Sequence, residues 1–366
     1  MVPRPRDRRQ QLIRAAAQLF WRHGFHRVGM TDIAAEVGIG ASALYRHFRG
    51  KEDLLAAVVD ESLDWLEAAM AQAPPDAAGT IATVAEVVLA RREFGVLWDR
   101  EGGRLPVAQR RAVRRRLRRA VERVAESIED NGLMRARAIT AVLASVSYHL
   151  GKVDAAQLCR ISDALLTVEL PAVPTESAVV GKDPQEPASR REALLAAATR
   201  LFAEHGYPSV SLADIGTAAG IAAPSVYSHF ASKSDLLNDA LTRYIESIWL
   251  SLHHILRTAD GPADALGRAV DSYLSFATAN PDLVRLLLSE AVNLPVEQQE
   301  AISRTWREFE AELVALLRRA RPELAADPAP AFVLGAIGIV NGMTLVPSLR
   351  GQAEIGVFAH AVLWSA

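Results

Sequence analysis

Residues 30–48 read MTDIAAEVGIGASALYRHF, and residues 212–230 read LADIGTAAGIAAPSVYSHF. In the first stretch Ile33, Val37, Ile39, Leu44 and Phe48 have the spacing of one buried face, and Gly38 supplies the positive-φ corner that joins two short helices tightly. Ser42, Tyr45, Arg46 and His47 are left for the outside. The pattern predicts a helix-turn-helix with an exposed second helix, the geometry that enters a DNA major groove. A helical hairpin in an ordinary bundle gives the same pattern, but here it occurs twice. Phe20, Gly24, Val28, Asp32, Ile33, Ile39, Tyr45, His47, Phe48, Lys51, Asp53, Leu54 and Leu55 recur identically 182 positions later without a gap.

An aromatic residue before the first of these helices, then Asp-Ile, a Gly-Ile turn, Tyr-x-His-Phe and a following Lys with Asp-Leu-Leu: this order resembles the TetR family of transcriptional regulators. The resemblance is specific over roughly residues 9–55 and 191–237 and loose over the rest of each half. It implies an all-α chain of two tandem units. Each unit is a three-helix DNA-binding head followed by a helical body that binds an effector and makes the dimer, so that one polypeptide forms an intrachain pseudo-dimer.

Length alone suggests two or three domains. Half the residues are apolar, enough for large cores. The net charge of -2 hides an uneven distribution. Residues 1–51 hold ten Lys or Arg against three acids, a balance of +7, whereas residues 190–233 hold four against three, a balance of +1. Affinity for phosphates scales with the charges neutralised, so the first head is expected to grip DNA harder than the second. The lone Cys159 gives no disulfide framework and fits a reducing cytoplasm. The basic start MVPRPRDRRQ has no signal-type apolar run behind it, and residues 331–346 are too short for a membrane span and contain Asn341. The expectation is a cytoplasmic protein with no membrane partner.

In chain order, residues 1–51 form the first head, with residues 1–8 read as a basic arm and residues 9–23 as its first helix. Residues 52–170 form the first body, opening on a long helix that Pro74 and Pro75 stop. Its run QRRAVRRRLRRAVER turns Arg110, Arg111, Arg114, Arg115, Arg118 and Arg119 to one face and Val113, Leu117, Val121 and Val124 to the other. A solvated face is favoured there over a second nucleic-acid patch, because Leu105-Pro106-Val107 recurs at Leu294-Pro295-Val296 and the helix after the second copy is not basic. Two helices, near residues 136–150 and 155–170, close this half. Residues 171–189, with four prolines, have linker composition, and 19 residues could span roughly 60 Å. The second head covers 190–233 and the second body 234–366. Gly335, Gly338 and Gly342 sit at small-residue spacing and are expected to admit the helix of residues 139–150 closely.

The family's roles, carried over position by position, make Tyr45, His47, Lys51, Tyr227, His229 and Lys233 resemble phosphate contacts. Thr31, and Ser211 at a helix N-cap, are further candidates. Base reading falls to the exposed second helix, with Ser42 and Arg46 in one head and Ser225 and Ser228 in the other. Arg46 can pair with guanine O6 and N7, and Ser228 in its place cannot. Two unlike heads predict an asymmetric operator rather than a palindrome. Trp65, Trp98 and Tyr148 in the first body, and Trp249, His253 and Trp306 in the second, are candidate linings for a small, largely apolar effector.

No HExxH, G-x-S-x-G or P-loop occurs, and Gly38-x-Gly40 lies between helices instead of after a strand, so neither an enzyme nor a bound cofactor or metal is expected. The favoured reading is a ligand-responsive repressor that binds double-stranded DNA and a small molecule. Its alternative is a helical small-molecule-binding protein with weak or lost DNA binding, to which the thinly charged second head points.

Overall fold

The computed structural model describes residues 5–148, 153–171, 189–324 and 328–365, the side chains of 5–7 and 223 aside. The regular elements are helices. The first half runs α1 (Pro5–His23), α2 (Met30–Glu36), α3 (Ala41–Leu44), α4 (Lys51–Gln72), α5 (Ala77–Ala90), α6 (Glu93–Glu101), α7 (Val107–Glu126), α8 (Gly132–Ser145) and α9 (Ala155–Thr167). The second runs α10 (Arg190–His205), α11 (Leu212–Ala218), α12 (Ala223–Val226), α13 (Lys233–Thr258), α14 (Pro262–Ala279), α15 (Pro281–Ser289), α16 (Val296–Ala320), α17 (Ala329–Thr344) and α18 (Glu354–Trp364).

Local chemistry sets the breaks. Gly38 and Gly220 turn the chain at φ of 69° and 67°, a conformation that a Cβ disfavours. Asp76 caps α5 by accepting from the Gly79 amide at 2.8 Å. Proline opens α14 and α15, where its missing N–H costs nothing. Two expectations shift. Residues 5–8, read as an arm, belong to α1, because Pro5 stands at the helix start, where its missing N–H costs nothing, and Arg6, Asp7 and Arg8 continue a helix that Leu12, Ile13 and Ala16 anchor. The helix expected to reach residue 150 ends at Ser145 and passes into a 3-10 turn, Val146–Tyr148.

The chain divides into two compact units, residues 1–136 with 146–150, and residues 137–145 with 151–366. The division falls inside α8, not at the proline-rich stretch, so the end of α8 and all of α9 belong with the second half. In the first unit one core runs from head to body. Leu12, Ile13, Ala16 and Phe20 of α1, Ile33, Leu44 and Phe48 around the turn, and Leu54, Leu55 and Val58 of α4 join Leu97, Leu105 and Val113.

In the second unit α17 is buried along nearly its whole length. Its glycines bring other backbones close. A Cβ on Gly338 would lie 2.4 Å from that of Ser145, and one on Gly342 2.7 Å from that of Ala141. The end of α8 therefore packs on α17 as the small-residue spacing predicted. Gly335 faces Ile161 of α9 and Val362 of α18. The end of α8 and helix α9 thus pack with α17 and α18 within this unit.

Candidate functional site

Both heads fix the loop between their first two helices by the same set of contacts. Lys51 Nζ donates to the carbonyls of Phe25 at 2.6 Å and Val28 at 2.9 Å, and Lys233 Nζ donates to those of Tyr207 at 2.6 Å and Val210 at 2.8 Å. Each ammonium also sits 4.2 Å from a ring centre, of Phe25 or of Tyr207. Burial holds both amines below the usual lysine range. From the body, Glu101 accepts the Phe25 amide and Glu290 the Tyr207 amide, each at 3.2 Å. Both carboxylates are buried. The rings agree as well: Phe20 and Phe25 lie 5.1 Å apart, as do Phe202 and Tyr207. Arg9 covers Phe48 at 5.0 Å and Arg191 covers Phe230 at 4.7 Å.

This clasp gives Lys51 and Lys233 a task other than the phosphate contact expected of them, because their donors are directed inward at carbonyls. Glu101 and Glu290 escaped the sequence reading, although each stands four residues before a repeated Leu-Pro-Val, at the same offset of 189.

Around the clasp the remaining DNA-contact candidates lie at the surface. Tyr45 and Tyr227 are 55 % and 61 % exposed, far more than aromatic rings with a core role. Thr31, Ser42, Arg46 and His229 are exposed, and His47 and Ser225 are partly so. Ser211 caps α11: its Oγ accepts from the Asp214 amide at 3.1 Å, and Asp214 accepts from the Ser211 amide at 2.9 Å. Gly29 takes that position in the first head, with only the Asp32 half of the box, at 2.7 Å. The heads differ where it counts for base reading. Arg46 and Ser228, expected on the second helices, lie instead in the exposed turns just beyond α3 and α12, and the Ser228 Oγ turns back to the Ser225 carbonyl at 2.7 Å.

A family model described as bacterial regulatory proteins of the TetR family matches residues 12–58 and again residues 194–240. The chain carries two TetR-family DNA-binding domains in tandem. Among curated relatives, the HTH-type transcriptional repressor KstR2 of Mycolicibacterium smegmatis is 36 % identical over 83 residues, 23 % of this chain and 40 % of that protein. The HTH-type transcriptional activator FasR of the same organism is 31 % identical over 98 residues, 27 % of this chain and 45 % of that protein. The chain thus spans less than half the length of these two relatives. Of solved structures, the ketosteroid transcriptional regulator KstR2 of Mycobacterium tuberculosis aligns with a TM-score of 0.44 at 23 % identity, covering 50 % of this chain and 96 % of that one.

In the bodies that follow the two TetR-family domains, the two sets of effector candidates fare differently. The first set scatters. Trp65 is 41 % exposed beneath Arg91, Trp98 packs against the core of the head, and the Tyr148 hydroxyl bonds Asp99. The second converges on Phe309. Trp249 lies 6.1 Å and Trp306 5.6 Å from its ring, with Tyr273 at 6.2 Å. Exposed His253 only flanks Trp249, at 5.4 Å.

Polar residues absent from the sequence reading run through this cluster. The Tyr244 hydroxyl donates to that of Tyr273 at 3.1 Å, which donates to Asn341 Oδ1 at 2.6 Å. Trp306 Nε1 donates to Glu310 Oε1 at 2.6 Å, and burial pushes the Glu310 carboxyl up to about 7. Beside the cluster a narrow cleft opens between α13 and α14, lined by Ser251, Ser272, Tyr273, Phe276 and Phe309 among others, with a cavity volume of about 20 Å³. That is far under the usual range for small-molecule sites, about 300–1,000 Å³, so an effector needs the helices to part before it can enter.

Among the described residues no group of three or more metal-ligating side chains converges, and no helix is long and apolar enough to cross a membrane.

Proposed function

We propose that this protein is a ligand-responsive transcriptional regulator that binds one asymmetric operator with two unlike heads. The observation that carries the reading is the near-identical clasp geometry of the two heads set beside their different exposed residues, Arg46 against Ser228. Tyr45, His47, Tyr227 and His229 lie against phosphates, with Thr31 and Ser211 as further backbone contacts, while Ser42 and Ser225 join Arg46 and Ser228 at the base edges. Lys51 and Lys233 hold the loop behind these contacts without touching phosphates themselves. A +7 head next to a +1 head makes the first the main anchor.

The effector is small and largely apolar, and it seats in the second body, where Trp249, Trp306, Phe309 and Tyr273 converge. Tyr273 and Glu310 offer it hydrogen-bonding ends. Binding widens the narrow cleft and shifts the heads away from the spacing of about one DNA turn, roughly 34 Å, that simultaneous binding needs, so the operator is released. The packing of the end of α8 and of α9 with α17 and α18 supports a pseudo-dimer made by one chain, acting as a monomer in the cytoplasm.

Selection of binding sites from random duplex DNA tests this reading, with Arg46→Ala run beside it. An asymmetric site whose guanine preference on one side relaxes in the variant supports it. A palindrome points instead to two chains pairing their first heads. No enrichment at all favours a helical ligand-binding protein that has lost DNA binding, for which the weakly charged second head is the supporting observation.

A further inference from the structure

Helix α7 is divided lengthwise. Val113 and Val124 are buried, and Val113 and Leu117 pack into the core that continues to the head. Arg116, on the flank, is bound to α4 through Asp64 and Glu67, both at 2.6 Å. The far side carries Arg111, Arg114, Arg115, Arg118 and Arg119, all exposed, and none is within ion-pair distance of a carboxylate among the described residues. At 100° per residue Arg111, Arg115 and Arg118 fall in an arc of about 60° flanked by the other two, over about 12 Å of axis. Like charges three and four residues apart repel, so the arrangement is mildly unfavourable for the helix itself.

The internal repeat supplies a control. Helix α16, 189 residues on, has the same apolar side and the same Leu-Pro-Val start, yet at the five positions it carries Glu300, Ser303, Arg304, Arg307 and Glu308. The solvated face expected from this repeat explains why charge is tolerated here, since the fold accepts a mixed face, but not why all five positions of α7 are basic. A lipid surface is a poor match, since an interfacial helix inserts an apolar face and that of α7 is already packed inside the unit. Its large exposed apolar side chain, Val107, stands at the helix start, away from the cluster. A duplex carries one phosphate per about 3.4 Å along each strand, a density that several guanidinium groups within 12 Å can meet together.

We propose that the arginine face of α7 is a sequence-independent DNA-binding surface, additional to the two heads, that holds the phosphate backbone of duplex DNA. The test uses the full chain, a short duplex of unrelated sequence, and fluorescence anisotropy at salt concentrations from about 50 to 200 mM. The triple variant Arg111→Gln, Arg115→Gln, Arg118→Gln is expected to make the slope of log affinity against log salt shallower by about 2 to 3. Its circular dichroism and thermal midpoint stay at or above those of the parent. A slope unchanged within about 0.5 overturns the proposal, as does loss of binding to phosphatidylserine–phosphatidylcholine vesicles with no change on DNA. The proposal and the reading of the heads fail separately: Arg46→Ala alters the selected sequence without the α7 face, and the triple variant alters the salt slope without the sequence.

Discussion

Replacing Lys51 by Met separates holding the loop from touching DNA. Methionine keeps the unbranched stem against Phe25 and removes the ammonium, so little packing is lost. What disappears is a pair of charge-assisted hydrogen bonds, at 2.6 and 2.9 Å, and a cation over a ring at 4.2 Å. Hydrogen bonds to charged groups contribute about 1.5–3 kcal/mol each, but this amine is partly exposed and water replaces some of that, leaving about 1 kcal/mol each. With a cation–π contribution of about 0.5 kcal/mol, the expected destabilisation is about 2–3 kcal/mol. For a unit of this size the thermal midpoint falls by roughly 5–10 °C. Lys233→Met should cost about the same in the second unit, because its distances match to 0.1 Å, 2.6 and 2.8 Å against 2.6 and 2.9 Å. Urea denaturation measures the loss, and anisotropy over a salt series on the selected operator measures the phosphate count. A clasp leaves the salt slope near that of the parent. Unchanged stability with a slope shallower by about 1 refutes the reasoning and returns Lys51 to the phosphate backbone.

Other outcomes follow from the same geometry. Glu310→Gln should stabilise the second body at pH 8 by about 2–3 kcal/mol, since a carboxyl raised from 4.5 to about 7 favours folding only while protonated; that stability is full below about pH 4.5 and lost as pH rises through 7. Denaturation at pH 5 and pH 8 checks it: the fall in stability between them should be smaller in the variant than in the parent by that amount, the remainder coming from groups such as His360, which Asp271 holds above the usual histidine range. Gly338→Ala forces its Cβ to within 2.4 Å of that of Ser145 and should destabilise the second unit by about 1–3 kcal/mol, with much of the loss recovered by adding Ser145→Gly. Thermal denaturation of the single and double variants reads this directly. Ser228→Arg makes the second head resemble the first, and site selection should then return a more symmetric sequence with guanine preferred on both sides.

The heads were readable from sequence because their determinants are local. The positive-φ glycines, the apolar spacing and the Ser211 cap act within a few residues, and the repeat at offset 182 prints them twice. The same locality made Gly338 and Gly342 readable as a close-packing face, since a missing Cβ has one main use in a buried helix. What touches what across long separations was another matter. Lys51 looked like a surface cation because its partners are bare carbonyls 26 and 23 residues away, and backbone oxygens carry no sequence signature. Glu101 was hidden for the same reason, its partner being an amide.

The aromatics of the bodies show the limit most directly. Trp65 and Trp249 occupy similar stretches of their long helices, yet one lies on the surface and the other against Phe309. Helical periodicity gives the side of the helix but not the neighbour on that side. Only packing decided that Tyr244, Tyr273 and Asn341 join through three helices into one polar chain, and that α9 shares its core with α17 and α18. Sequence alone determined two helix-turn-helix heads in one all-α chain, because turn and helix are set by nearby residues. Tertiary structure decided which charges are clasps and which aromatics meet, because burial depends on residues brought together from far along the chain.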